Sequence, residues 1–183
     1  MLDPLLCRNQ NGFRRGRSTT AQILSIRRIL EEMKMFNKSV TVCFVDFRKA
    51  FDSISRDLMF KILAIYGIPP RIVDVIRGMY ANTTTTVISP GGETDFFEVV
   101  AGILRGNTLT PFSFITNYVL RLSLDGTEEK GLLLKPRQSS RHYAQYLTDL
   151  DFVDDLALIF HCIKDAEYLL QALEKAANQV GLY

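Results

Sequence analysis

Apolar positions change their period along this chain, and each change predicts an element. Ile23, Ile26, Ile29/Leu30 and Met33 recur at helical spacing, after Ser18 and Thr19, either of which suits a helix N-cap. Asn37-Lys-Ser39 ends that helix. Residues 40–47 are dense in β-branched and aromatic side chains and apolar on both faces, which predicts a central strand. A short helix is expected from Ser55 or Asp57 to Gly67, and another from Pro69-Pro70 to Tyr80. Residues 83–89 and 95–100 flank Pro90-Gly-Gly-Glu93 as a hairpin. A glycine-bearing loop follows at 102–111, then an apolar helix from Leu109 or Pro111 to Leu124. Residues 131–134 read as a short strand. Residues 143–149 and 156–160 are expected to flank an Asp154-Asp155 turn as a second hairpin. The last helix, 165–180, sets Ala166, Leu169, Leu170, Leu173 and Ala177 on one face. Helices and strands mix without a regular βαβ alternation. The predicted class is therefore α+β, an antiparallel sheet with helices packed on one face.

Composition narrows the picture little. The 183 residues suit one domain, and 47% apolar with 23% charged side chains is ordinary for a globular chain. Apolar stretches are only a few residues long, so neither a membrane span nor a signal segment is expected. Cys7, Cys43 and Cys162 have no metal-ligand spacing. Cys43 and Cys162 fall in apolar runs and are expected to be small buried thiols in a reducing, intracellular setting. Net charge is only +2, but Arg8, Arg14, Arg15, Arg17, Arg27 and Arg28 crowd the first 30 residues against a single acid, Asp3. Such a patch binds phosphates or is simply a solvated surface.

Two segments, VCFVDFRKAFD at 42–52 and LDFVDDLALI at 150–159, carry candidate chemistry. In each, an apolar, β-prone run delivers carboxylates. A strand core excludes unpaired charge because desolvating a carboxylate is costly, so carboxylates placed this way usually have cations as partners. Two such strands side by side would offer an oxygen-rich site for a pair of Mg²⁺ ions, the arrangement used for phosphoryl transfer. Asp46, Asp154 and Asp155 are the carboxylates in question.

Four blocks in order extend this reading: NGFRRGRST at 11–19, VDFRKAFDS at 45–53, GILRGNTLTP at 102–111 and TDLDFVDDLAL at 148–158. Together they make the chain resemble the reverse transcriptase domain of non-LTR (LINE-type) retrotransposons. The resemblance implies a polymerase palm with part of the fingers, residues 1–38 being fingers-proximal and 39–183 palm, with the thumb absent. It implies an RNA-directed DNA polymerase that uses two Mg²⁺ ions, or Mn²⁺ in their place. Its partners would be an RNA template, a DNA primer and deoxynucleoside triphosphates, with no membrane and no obligate protein partner. Asp46, Asp154 and Asp155 would be the catalytic carboxylates, and the Phe47 carbonyl an extra metal ligand. Phe51 falls at the aromatic gate that favours deoxynucleotides. Arg105 and Gly106 would line the nucleotide pocket, and Arg14 and Arg17 would contact template or primer phosphates. The setting would be intracellular, and nuclear for a chromosomal element.

The chain departs from the family pattern at three places. Arg105 stands where the pocket loop usually has glutamine, and Asn107 where it usually has aspartate; arginine cannot accept a hydrogen bond and adds charge. Val153 replaces the common alanine before the Asp pair, and a β-branched residue in a strand there is expected to be tolerated. The chain also begins after the early fingers motifs and ends before a lysine-bearing segment, so it is expected to polymerise poorly alone. An inactive, weakly nucleic-acid-binding remnant is the alternative. A palm-type nucleotide cyclase also uses strand-borne aspartates, but Phe51 and the arginine-rich leading segment favour the polymerase.

Overall fold

The computed structural model describes residues 5–12, 14–104 and 111–183. Helix α1 (Thr19–Met35) precedes strand β1 (Thr41–Val45) and the short helix α2 (Ala50–Ser53). Helices α3 (Arg56–Ile65) and α4 (Pro70–Tyr80) follow. Ser55 sits at the α3 N-cap and Pro70 opens α4, where a proline's missing N–H costs nothing. Four two-residue strands, β2 (Thr84–Thr85), β3 (Ile88–Ser89), β4 (Gly92–Glu93) and β5 (Phe97–Glu98), form the expected hairpin in two pieces, β2 with β5 and β3 with β4. Then come α5 (Phe112–Leu124), β6 (Leu132–Lys135), β7 (Gln145–Leu147), β8 (Asp149–Phe152), β9 (Asp155–Phe160) and α6 (Ile163–Val180). Among the described residues, no helix is long and apolar enough to cross a membrane.

The three-stranded antiparallel sheet that organises the molecule has the order β1-β9-β8. One face meets α5 and α6: Leu156, Leu158 and Phe160 join Ile115, Val119, Leu169 and Leu173 in the main core, with Cys43 and Val45 against it. The other face carries Leu150, Ala157 and Ile159, and Ile26, Ile29 and Met33 of α1 lie over it with Val42. Helices α5 and α6 thus cover one face as expected, and α1 adds a cover on the second.

That second cover explains a correction. Strand β1 was expected to be central because both its faces are apolar, yet among the described residues it is an edge strand and β9 is the centre. Apolarity on both faces reports coverage above and below, not strands on either side. Phe44 shows the limit of that coverage, being 72% exposed.

The second hairpin also differs from its prediction. Residues 143–149 do not form one arm; Gln145–Leu147 pairs with Leu132–Lys135, and the chain changes partner at Thr148. Asp149–Phe152 then pairs with Asp155–Phe160, closing at Phe152↔Asp155. The turn is therefore residues 153–154, and Asp155 opens β9. An alternating pattern that runs on through Thr148 carries no mark of a change of partner. Cys43 is only half-buried and Cys162 is exposed, correcting the expected buried thiols. Cys162 lies at the α6 N-cap, where its Sγ donates to Asp165 Oδ2 at 3.0 Å, rather than inside the sheet.

The C-terminal end of α6 docks on the segment after β1. Tyr183 C=O accepts from Arg48 N–H at 2.7 Å, and Val180 C=O accepts from Ser55 N–H at 3.3 Å. These bonds fix the chain just past Asp46 against the core.

Candidate active site

Strand β1 meets β9 in a register ending at Val45↔Leu156. That register stops at Val45, so Asp46 and Asp155 each lie one residue beyond its last pair, at the same end of the sheet. Asp154 occupies the adjoining turn. The three carboxylates that the sequence singled out are thus brought to one end of one sheet. Asp46 and Asp155 are exposed and Asp154 is half-buried.

Asp46 and Asp155 also line a common groove of about 310 Å³, whose other walls include Thr19, Ile23, Phe44 and Phe152. Hard carboxylate oxygens beside an apolar wall suit a hard divalent cation. Among the described residues no three His, Cys, Asp or Glu side chains form a ready cage. Mg²⁺ does not require one, since it keeps several waters and is commonly held by one or two carboxylates plus substrate phosphates. The donor set therefore fits that ion.

The turn bearing Asp154 is strained. Val153 has φ +61°, a left-handed conformation that a β-branched residue rarely adopts. The expectation that valine would sit comfortably in a strand here is corrected: the residue is in the turn, not the strand. Its side chain is nonetheless buried in the main core.

The leading segment braces this turn. Asn11 N–H donates to Asp151 C=O at 2.9 Å, and Asp151 N–H donates to Asn9 C=O at 3.3 Å, so residues 9–11 run beside β8 like a short extra strand. Gln22 Nε2 ties α1 to both, donating to Asn9 C=O at 2.7 Å and Asp151 C=O at 2.9 Å. Arg14 donates through one guanidinium nitrogen to Cys7 C=O at 2.7 Å and Gln10 C=O at 2.9 Å. Arg17 donates to Asn11 Oδ1 at 3.0 Å and Arg8 C=O at 3.2 Å. Both arginines expected at phosphates thus bond the segment they belong to. Gln10, buried at the centre of this brace, carried no sequence signal beyond the glycine two positions later.

Around the gate position, the ring of Phe51 stacks on Phe112 with centroids 4.4 Å apart. Gly102 presses on the same segment: a Cβ there would lie 2.9 Å from Asp52 Cα, Asp52 O and Phe51 O. Gly102 N–H donates to Ile54 C=O at 2.9 Å, and Ile103 N–H to Phe51 C=O at 2.6 Å. The start of the 102–111 loop is thereby fixed to the segment following Asp46. Phe47 is buried in the core. Arg105 and Gly106 lie outside the described residues.

Behind the sheet end sits a second acidic pair, Asp149 and Asp151, both buried on β8. No protein donor reaches either Asp151 carboxylate oxygen. Burial first, and then the charge of neighbouring Asp149, hold the Asp151 carboxyl well above the usual carboxylate range. Asp149 accepts from the neighbouring Thr148 hydroxyl.

Comparison with known proteins meets this geometry. The model of the family described as "Reverse transcriptase (RNA-dependent DNA polymerase)" matches residues 1–183. The chain is similar to the Pol polyprotein of the type-1 retrotransposable element R2 of Popillia japonica, 26% identical over 144 residues, covering 77% of this chain and 22% of that protein. It is similar to the corresponding R2 polyprotein of Bradysia coprophila, 29% identical over 154 residues, covering 84% of this chain and 17% of that one. The type-2 element R2DM of Drosophila melanogaster is 28% identical over 146 residues, covering 79% and 13%. The chain thus spans 22% or less of the length of these relatives. Among solved structures, apo telomerase of Candida tropicalis, truncated of its C-terminal domain, superposes with a TM-score of 0.63 at 15% identity, covering 95% of this chain and 34% of that one. Telomerase of Candida albicans with a telomeric RNA fragment gives 0.63 at 12% identity, covering 96% and 30%. At such identities these structures show a shared fold.

Proposed function

The chain belongs to the reverse transcriptase (RNA-dependent DNA polymerase) family, and from that premise we propose that it carries the palm of an RNA-directed DNA polymerase extending a DNA primer on an RNA template. One observation supports the reading: the β1–β9 register ends at Val45↔Leu156, leaving Asp46 and Asp155 just beyond its last pair and next to the turn that holds Asp154. In this reading residues 39–183 are palm and residues 1–38 border the fingers. The nuclear setting of a chromosomal element goes with it.

Asp46, Asp154 and Asp155 would hold two Mg²⁺ ions, with the Phe47 carbonyl as a further ligand. Bound there, the ions would activate the primer 3′-hydroxyl and neutralise charge on the leaving pyrophosphate. The protein's own part is placement. Phe152 and Phe44 give the groove shared by Asp46 and Asp155 an apolar wall. Phe51, held by Phe112, would press on the sugar and disfavour a 2′-hydroxyl. Arg105 and Gly106 would line the pocket for a deoxynucleoside triphosphate, and Arg17 and Arg14 would lie toward template or primer phosphates.

Primer extension on an RNA template with Mg²⁺ and deoxynucleotides tests the proposal. DNA synthesis that vanishes in Asp154→Asn supports it, and synthesis that survives that change contradicts it. Arg105 and Asn107 favour a second reading, a folded remnant that binds nucleic acid without copying it. No synthesis by the parent, and recovery in Arg105→Gln/Asn107→Asp, would identify those two residues as the lesion.

A further inference from the structure

We propose that Gln10 is a positioning residue for the acidic turn: its side-chain amide clamps the backbone of Val153 in the left-handed conformation that presents Asp154 and Asp155 beside Asp46. The proposal rests on the metal-site reading above.

Gln10 has no exposed surface, yet it is polar. Its Oε1 accepts from Val153 N–H at 3.0 Å and from Gly12 N–H at 2.7 Å. Its Nε2 donates to Val153 C=O at 3.4 Å. A carboxamide offers a donor and an acceptor in one plane, as a peptide group does, so Gln10 extends the pairing of residues 9–11 with β8 one step further, onto the turn. Glutamate would lose the donor, and an apolar side chain would leave the Val153 amide buried and unpaired.

Two further observations fit a clamp. Two-residue hairpin turns normally place glycine or asparagine where φ is positive. Val153 holds φ +61° there, and such a conformation persists only where its surroundings over-determine it. Gly12 leaves room for that approach: a Cβ would lie 2.4 Å from Val153 Cγ2 and 2.6 Å from Val153 N. A leading segment that merely stabilised the fold would need neither an amide aimed at the turn nor a glycine facing it.

The test is Mn²⁺ binding followed by electron paramagnetic resonance, with folding of each variant checked by circular dichroism. The parent should bind Mn²⁺ and Asp154→Asn should lose it. Gln10→Ala, still folded, should bind about 10–100-fold more weakly, the usual effect of removing a group that orients a metal ligand. Adding Val153→Gly, which adopts positive φ without a clamp, should recover most of that loss. If Gln10→Ala does not fold, Gln10→Met keeps the volume and removes the amide. Parent-like affinity in the folded Gln10 variant, or no recovery with Val153→Gly, overturns the clamp and leaves the metal site standing. Parent-like binding by Asp154→Asn, or no binding by the parent, removes the site and the clamp with it.

Discussion

Phe51 lies flat on Phe112, the two ring planes 20° apart. Phe112 is fully buried at the start of α5, so Phe51, in α2 shortly after Asp46, is held by the helix that follows the 102–111 loop. An aromatic pair of this kind contributes about 0.5–1.5 kcal/mol beyond the area it buries. Phe51→Ala should therefore lower stability by about 1–3 kcal/mol, read by denaturant unfolding. Phe51→Val should remain folded and, if the ring gates the sugar, incorporate ribonucleotides more readily. Unchanged sugar selectivity in Phe51→Val would remove the gate and keep the packing role.

Gly102→Ala should be far more damaging than an exposed glycine change. Its φ is +84°, and every atom that a Cβ would strike is backbone. Strain and overpacking together should cost about 2–5 kcal/mol. Gly67 has φ +74° but nothing within 4 Å, so Gly67→Ala should cost only the strain, about 1–2 kcal/mol. Melting both variants separates the two effects; equal losses would mean that the close approach to Asp52 contributes nothing.

Asp151 predicts a pH dependence with a definite sign. Its folded-state pKa is raised above its ordinary value of 3.8. The unfolded chain releases this proton first, so the stability that the group contributes is complete below that value and is lost as pH rises through the folded-state value. Asp151→Asn cannot ionise. It should melt higher than the parent at pH 8, with the gap shrinking towards pH 4. A parent stabilised relative to this variant by raising the pH would show that Asp151 is an ionised, partnered group.

Arg14→Ala should act through the fold. It removes bonds to Cys7 and Gln10 carbonyls, part of the brace on β8, and should lower stability by about 1–3 kcal/mol. Weaker nucleic-acid binding with parental melting and a salt slope reduced by about 1 would instead assign Arg14 to a phosphate.

Much of this was legible in the sequence because it is written in local chemistry. Ser55 and Pro70 announce α3 and α4, and helical spacing places Leu169 and Leu173 of α6 in the core. The acidic residues stood out because carboxylates at 46 and 154 interrupt apolar runs. What escaped was relational. The left-handed φ of Val153 arises from a turn closed by Phe152↔Asp155 and a clamp 143 residues away in sequence. The break at Thr148 and the edge position of β1 depend on which strands become neighbours, which periodicity does not encode. Gln10 sits in a polar segment with no period at all.

The central claim is that the two acidic segments form one divalent-cation site, and Mg²⁺ titration of thermal unfolding tests it most directly. Binding to the folded state alone should stabilise the parent by about 2.7 kcal/mol at a hundredfold excess over Kd. The Asp46→Asn/Asp154→Asn double variant should melt at the same temperature with or without the ion. A double variant whose melting rises with Mg²⁺ as the parent's does would contradict the account.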